Sequence, residues 1–513
     1  MVDREIFPNT KFTGKTQTIS ASLPFLARKK FNLYINNQWY PADNLDHPSI
    51  PCIDPATGEH FASISEAQPS CIDDAVKAAR NALNLPEWSD ITPMQRGELL
   101  WKLADLIQEN VDELAELETL DQGKPLSVSR FAEIPAAIKQ LKYFGGAASK
   151  IEGSTIPTSI SHQPPGQQMM AYTTKEPIGV VAVIVPWNSP FLLTLMKVAP
   201  ALAAGCTLVI KPAEDTSLTA LRLAELATEA GFPAGVLNVI TGKGVSVGGA
   251  LAAHEDVDKV AFTGSTATGR AIIDAAKSNM KKVSLELGGK SPTLVLSDAD
   301  LDQAIPQIAN GIFFNSGQVC VAGSRLYAHR SVFDRVVEGV CEIGRNLVIG
   351  AGLTPGVEIG PLVNAAQLER VCGFVDRARD AGAEVRLGGK PFDTKGYFMQ
   401  PTVLTNVDQD MEIVCEEVFG PVLVCQPFDE IDEVVEMAND SKYGLAATVW
   451  TQNFSMAHRL AKDIRAGKLW INCHYMFDPS LPIGGMKESG WGRDNGMQAL
   501  DNYLELKTVC ACI

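Results

Sequence analysis

Short apolar runs alternate with amphipathic stretches between Gly179 and Gly289. Residues 180–185, 207–210, 236–240, 259–262 and 283–287 read as strands, while segments of helical period begin near Phe191, Leu218, Val245 and Thr268. Continuous apolar strands joined through helices by short connections predict a parallel sheet covered on both faces. Such a sheet binds ligands at the carboxyl ends of its strands. Each strand here ends in residues with chemistry to offer: Pro186-Trp187-Asn188, Lys211-Pro-Ala-Glu214, Thr241-Gly242, Thr263-Gly264-Ser265 and Gly288-Gly289.

The flanking patterns differ. Residues 31–39 read as a strand entering a turn, and Ile53-Asp-Pro-Ala-Thr-Gly58 marks a turn between strands. Residues 71–150 are helical in pattern, with Leu99, Leu100, Leu103, Leu106 and Ile107 at helix spacing. A second α/β region covers residues 291–490, with strands expected at 293–296 and 447–451. The polar, Pro- and Ser-rich segment 151–174 fits neither core, and the alternating tail 500–513 could supply an edge strand. The first thirty residues read as a loosely attached extension.

Composition narrows the class without naming a function. A chain of 513 residues exceeds one ordinary core, so at least two domains are expected. Its 46% hydrophobic content is ordinary for a globular protein. The net charge of -16, from 44 basic and 60 acidic residues, argues against nucleic acid and anionic membranes as partners. Eleven cysteines lie scattered without zinc-ligand spacing or a disulfide framework, so no metal is expected. With no apolar signal core at the N-terminus and no membrane-length apolar run, the expectation is a cytoplasmic protein.

Several motif matches fail. Leu287-Gly-Gly-Lys-Ser291 ends like a P-loop, but Ser284 stands where the first Gly belongs. Asp298-Ala-Asp300-Leu-Asp302 starts like a calcium loop, yet Gln303 and Ala309 break it, and an acid-rich helix start fits better. Asn453-Phe-Ser455 is a glycosylation sequon by pattern only. Gly242-Lys-Gly244 meets Gly248 one position late for the dinucleotide fingerprint, and Gly264-Ser-Thr-Ala-Thr-Gly269 is a second candidate loop for a pyrophosphate. Cys320, in Gly317-Gln-Val-Cys320, and Glu286, in Leu285-Glu-Leu-Gly-Gly-Lys290, pair a thiol able to attack a carbonyl with a carboxylate able to activate water. No His lies near them in sequence, so a Cys–His protease arrangement lacks local support.

Six segments occur in one order: Pro186-Trp-Asn-Ser-Pro190, Ile210-Lys-Pro-Ala-Glu214, Phe262-Thr-Gly-Ser-Thr266, Leu285-Glu-Leu-Gly-Gly-Lys290, Gly317-Gln-Val-Cys320 and Glu417-Val-Phe-Gly-Pro421. Together they resemble the NAD(P)-dependent aldehyde dehydrogenase superfamily, over about residues 31–509. The resemblance implies a Rossmann-like cofactor domain (31–150 and 175–288) and an α/β catalytic domain (289–490). It also implies a small β oligomerisation element from 151–174 and 491–513, and a homodimer or homotetramer. It makes Cys320 the nucleophile, Asn188 with the Cys320 N–H the oxyanion donors, and Glu286 the base that releases a carboxylic acid by hydrolysis rather than by coenzyme A acylation. Lys197 and Asp494 match proton-relay positions, with Asp where many members have Glu.

For the cofactor, the resemblance implies Pro186, Trp187, Lys211, Glu214, Gly242, Gly264, Ser265, Glu417 and Phe419. A carboxylate beside the ribose 2′-hydroxyl repels a 2′-phosphate, so NAD is expected over NADP, with Lys211 partly offsetting that repulsion. The matching aldehyde funnel is Ser189, Leu192, Leu193, Met196, Phe314, Val319, Val321, Tyr475, Phe477 and Ile483, an apolar and partly aromatic wall. Trp470-Ile-Asn-Cys-His474, Leu481-Pro-Ile-Gly-Gly-Met-Lys487 and Gly492-Arg-Asp494 are most similar to phenylacetaldehyde dehydrogenases, which points to an arylacetaldehyde or similar hydrophobic aldehyde. A betaine- or amino-aldehyde enzyme, a broad aliphatic one, and a non-catalytic NAD-binding or structural relative are the alternatives.

Overall fold

The computed structural model describes residues 23–40, 48–160 and 166–513. The apolar runs of the central region do form a sheet, of eight strands. Its order is Gly490–Trp491, Lys282–Glu286, Lys259–Thr263, Val180–Ile184, Thr207–Lys211, Leu237–Val239, Tyr34–Ile35 and Gln38–Trp39. The five inner strands are parallel. Every residue of Val180–Ile184 and Thr207–Lys211 is buried, because helices cover both faces. From Val180–Ile184 the chain turns one way to Thr207–Lys211 and the other way to Lys259–Thr263. That reversal opens a crevice at its carboxyl end, where Pro186, Trp187 and Asn188 stand.

A second sheet of seven strands follows the order Glu384–Leu387, Thr402–Thr405, Val422–Phe428, Arg325–His329, Pro292–Val295, Ala446–Trp450 and Lys468–Ile471. All its pairings are parallel except that of Glu384–Leu387. Its amino ends meet the carboxyl ends of the first sheet. The Glu286 strand runs through Gly288 and Gly289 into Pro292–Val295, and the Cys320 loop runs into Arg325–His329.

Two smaller sheets complete the fold. One is Lys30–Phe31, Glu59–Ser65 and Ser49–Asp54, with Gly58 at a φ of 70° closing the expected turn. The other joins Leu504–Cys512 to Met169–Pro177 along nine residue pairs, with Thr155–Ile156 outside it. The tail therefore supplies the expected edge strand. Helix Pro93–Glu109, opened by a Thr92–Gln95 capping box, packs on Ile134–Ala147 so closely that a Cβ on Gly97 would stand 2.4 Å from the Gly145 carbonyl.

Three boundaries need correction. Leu23, Phe25 and Leu26 are buried, Phe25 stacks on Phe31 at 4.7 Å, and Arg28 lies 4.3 Å over the Trp39 ring. The extension expected over residues 1–30 thus ends before Leu23, and its residues 1–22 lie outside those described. Strand Met169–Pro177 continues past 174, so 175–177 belong to the small sheet. Trp491 pairs with Leu285 in the large sheet, and Asp494 with Ile483, so residues 491–503 are not part of the small sheet. Residues 161–165 of the Pro- and Ser-rich segment are also outside the described set.

The failed motifs have structural explanations. Asp300 caps helix Leu301–Phe313 by accepting from the N–H groups of Asp302 and Gln303. Asn453 caps helix Phe454–Asp463 by accepting from Met456.

Candidate active site

The nucleophile loop is shaped by an uncommon backbone. Asn315, Ser316 and Gly317 all have positive φ, of 48°, 55° and 71°. A Cβ on Gly317 would stand 2.0 Å from the Gly420 carbonyl. Side-chain bonds hold the turn: Asn315 Nδ2 donates to the Asn188 carbonyl, and Ser316 Oγ donates to the Gly360 carbonyl. Asn188 Nδ2 in turn donates to the Gln318 carbonyl at 2.9 Å. The crevice residue Asn188 and the Cys320 loop are therefore fastened directly to each other.

Glu286 and Glu417 close on the same loop through glycines. A Cβ on Gly289 would stand 2.3 Å from the Cys320 carbonyl, and one on Gly288 would stand 2.4 Å from Glu417 Oε2. The Gly289 N–H donates to Glu417 Oε1 at 2.9 Å. Cys320 is partly exposed, yet burial first, then the Glu417 and Glu286 carboxylates, push its thiol up to about 12, against hydrogen bonds from the Val321 and Cys320 backbone.

Glu286 is raised well above the usual carboxylate range, by burial first and by Asp494 next, against Lys197 and Arg493. Its Oε1 is buried without a hydrogen-bond partner and would lie 2.8 Å from a Cβ on Gly484. Lys197 and Asp494 form a buried ion pair at 3.0 Å beside it.

The predicted funnel converges on Cys320. Met196, Val321, Trp470 and Ile483 form one apolar cluster, against which Leu192, Leu193, Val319, Cys320, Cys473 and Tyr475 pack. Tyr475 contacts Phe314 at 5.4 Å and stacks with Phe477 at 6.2 Å, and Phe477 meets Trp470 edge-on at 5.6 Å. Ser189 departs from this wall: its Oγ donates to Glu133 Oε1 at 2.8 Å, tying it to a buried ionic cluster instead.

At the strand ends of the first sheet, Lys211 Nζ pairs with Glu214 Oε2 at 3.1 Å, and Glu214 Oε1 accepts from the Gly244 N–H. Gly242 has a φ of 147°, and a Cβ there would stand 2.3 Å from Val247. Gly264 precedes Ser265, whose Oγ caps helix Thr266–Ala276 by accepting from Thr268. Trp187 and Phe419 meet edge-on at 5.2 Å across the two sheets.

The sequence model of the aldehyde dehydrogenase family matches residues 39–509. The chain belongs to that family. This aldehyde dehydrogenase is 44% identical over 502 residues to aldehyde dehydrogenase family 2 member C4 of Arabidopsis thaliana, covering 98% of each chain. It is 44% identical over 499 residues to a phenylacetaldehyde dehydrogenase of Pseudomonas fluorescens, covering 96% of this chain and 99% of that one. Among solved structures, the NAD+ complex of an aldehyde dehydrogenase from Bacillus cereus superposes with a TM-score of 0.93 at 44% identity, covering 97% of this chain and all of the other.

The enzyme is therefore an aldehyde dehydrogenase, and its own residues fit NAD, the cofactor bound in the Bacillus cereus relative. The crevice offers a carboxylate and an amine at one strand end, a capped helix start at another, and open space where Cβ atoms on Gly244 and Gly249 would lie. Such a floor suits ribose hydroxyls and a pyrophosphate. The pattern reading passed over Trp470 and Cys473 as pocket members, and over Glu118, Lys124 and Glu133 altogether. Glu118 left a trace: with Leu114 and Asp121 it falls on one helical face (i, i+4, i+7), which sets two carboxylates in line with a core leucine.

Proposed function

We propose that this aldehyde dehydrogenase oxidises phenylacetaldehyde or a similar hydrophobic aromatic aldehyde to its carboxylic acid, with Cys320 as nucleophile. The observation that carries the substrate is the ring-lined apolar cluster in which Cys320 itself packs. A betaine aldehyde is disfavoured by Lys468, whose Nζ lies 6.0 Å from the Trp470 ring and already presents a positive charge to that face. The phenylacetaldehyde dehydrogenase relative supports the same choice.

In this reading the Cys320 sulfur attacks the aldehyde carbon, and the Asn188 amide with the Cys320 N–H steadies the oxyanion, a donor worth ~3 kcal/mol. NAD, when bound, would supply the hydride acceptor, and loss of hydride from this carbon leaves Cys320 as a thioester. Glu286 then takes a proton from water, whose oxygen attacks the thioester and frees the acid and the thiol. Lys197 and Asp494 lie where they can pass that proton on. Lys211 and Glu214 bind the adenine ribose, Pro186, Gly242, Gly264 and Ser265 line the pyrophosphate path, and Glu417 holds the nicotinamide ribose with Trp187 and Phe419 beside it. Glu214 favours NAD over NADP. The small sheet of Met169–Pro177 and Leu504–Cys512 assembles a homodimer or homotetramer in the cytoplasm, where eleven free thiols stay reduced.

NADH formation with phenylacetaldehyde, betaine aldehyde and a short aliphatic aldehyde tests the reading, each with NAD and NADP. Phenylacetaldehyde with NAD should give the highest kcat/KM, and Cys320→Ala should abolish turnover while leaving NAD binding intact. A preference for betaine aldehyde would overturn the substrate, and retained turnover in Cys320→Ala would overturn the nucleophile.

A further inference from the structure

The segment that carries Asn188 is fixed from behind by charges that touch no reactant. Glu118 ends a helical turn of Val111–Gln122, Lys124 follows Gly123, and Glu133 closes the turn Ser129–Glu133. All three side chains are buried. Lys124 Nζ pairs with Glu118 Oε1 at 3.0 Å and, more closely still, with Glu133 Oε2. Each carboxylate then spends its other oxygen on the crevice. Glu133 Oε1 accepts from Ser189 Oγ at 2.8 Å, and Glu118 Oε2 accepts from the Phe191 N–H at 3.3 Å.

Those two acceptors straddle Pro190, the first residue of helix Pro190–Ala204. Asn188 lies immediately before them, and Leu192, Leu193, Met196 and Lys197 lie along the helix that follows. The first-turn N–H groups of a helix need acceptors, and with a proline at the first position the amide of Phe191 is the first of them to satisfy. A water or a serine would meet that need at far lower cost than a lysine and two carboxylates taken out of solvent, since burying each ion costs several kcal/mol. Burial pushes the Glu118 carboxyl up to about 8, with Glu133 adding to the rise and Lys124 opposing it.

We propose that Glu118, Lys124 and Glu133 are positioning residues for aldehyde oxidation, holding Ser189 and the Phe191 N–H so that the Asn188 amide keeps its aim at the reacting oxygen. The inference rests on Asn188 being an oxyanion donor. From the front, Asn188 is tied to the nucleophile loop through Gln318 and Asn315; the ionic cluster supplies the opposing hold, and two anchors on opposite sides define an orientation that one would not. A positioning error of 1 Å costs about 10²-fold in rate, so the loss of one anchor should reach a substantial part of that.

The test compares Glu133→Gln, Ser189→Ala and their double variant with Asn188→Ala, reading kcat, KM for a hydrophobic aldehyde, Kd for NAD and Tm in each. Both single variants should lower kcat about tenfold with the Kd for NAD unchanged, and the double variant should be no slower than the worse single one, since both cut the same link. Asn188→Ala should lower kcat by about two to three decades. Unchanged kcat in Glu133→Gln and Ser189→Ala beside a slow Asn188→Ala would overturn the positioning role. So would additive losses, or a lower Tm with kcat intact. A normal kcat in Asn188→Ala would instead remove the oxyanion assignment on which the inference stands.

Discussion

Cys320 and Glu286 are both pushed toward the protonated form by their surroundings. The thiol is pushed up to about 12, and the carboxyl is held well above its usual range, each chiefly by burial. Glu286 works as a base only when ionised, and a raised pKa moves that ionised form to higher pH. Thioester hydrolysis should therefore speed up as pH rises above the range in which an ordinary carboxylate ionises. Glu286→Gln should give one burst of NADH per active site and then stall, with the residual rate no longer climbing with pH. Stopped-flow absorbance across a pH series measures both; steady-state turnover equal to wild type would remove Glu286 from the role of base. The pairing of Glu286 with Cys320 was legible in the sequence because each sits in a distinctive segment. The direction of their pKa shifts was not, because it comes chiefly from burial in the folded chain, with Asp494 and Glu417, far off along the sequence, adding to it.

The nucleophile loop depends on three consecutive residues of positive φ, a conformation that L side chains adopt only at a cost. Gly317 is the member with no alternative, since a Cβ would strike the Gly420 carbonyl. Gly317→Ala should push the loop away from Asn188 and Gly289, reducing kcat by at least about 10²-fold while NAD still binds at the strand ends. Kinetics alongside NAD titration separates the two effects, and a kcat within a factor of two of wild type would show that the loop can relax. Strands were the most legible elements: 180–185 and 259–262 each differ from the structure by one residue, because a strand buried on both faces is a plain apolar run. The buried cluster behind Ser189 was hidden for the opposite reason. Its charges read as surface on a helix until Lys124 and Glu133 arrive from separate turns. The burial of Leu23 to Leu26 was missed because a short apolar run between polar neighbours has no periodicity to reveal its partner.

At the scale of the whole molecule, the strand Leu504–Cys512 is paired on one side only among the described residues, and Leu506 is 65% exposed. An edge of that length left open invites pairing with another copy. Removing residues 504–513 should convert the proposed homodimer or homotetramer to monomers in light scattering while leaving the two large sheets folded by circular dichroism. A truncated protein that keeps the wild-type mass would place the subunit contact elsewhere.

The strand Gly490–Trp491 has a consequence for how the protein is made. It completes the sheet edge beside Lys282–Glu286, yet it is encoded about 200 residues later, roughly 10–40 s of ribosome travel at ordinary rates. Throughout that interval the Glu286 strand emerges as an unprotected flank, and the amide of Leu287 waits for the carbonyl of Ser489. The first half of this chain is thus obliged to linger unfinished until the last few dozen residues appear. Its yield in a cell should depend on translation speed and chaperone supply more than the stability of the finished enzyme would suggest.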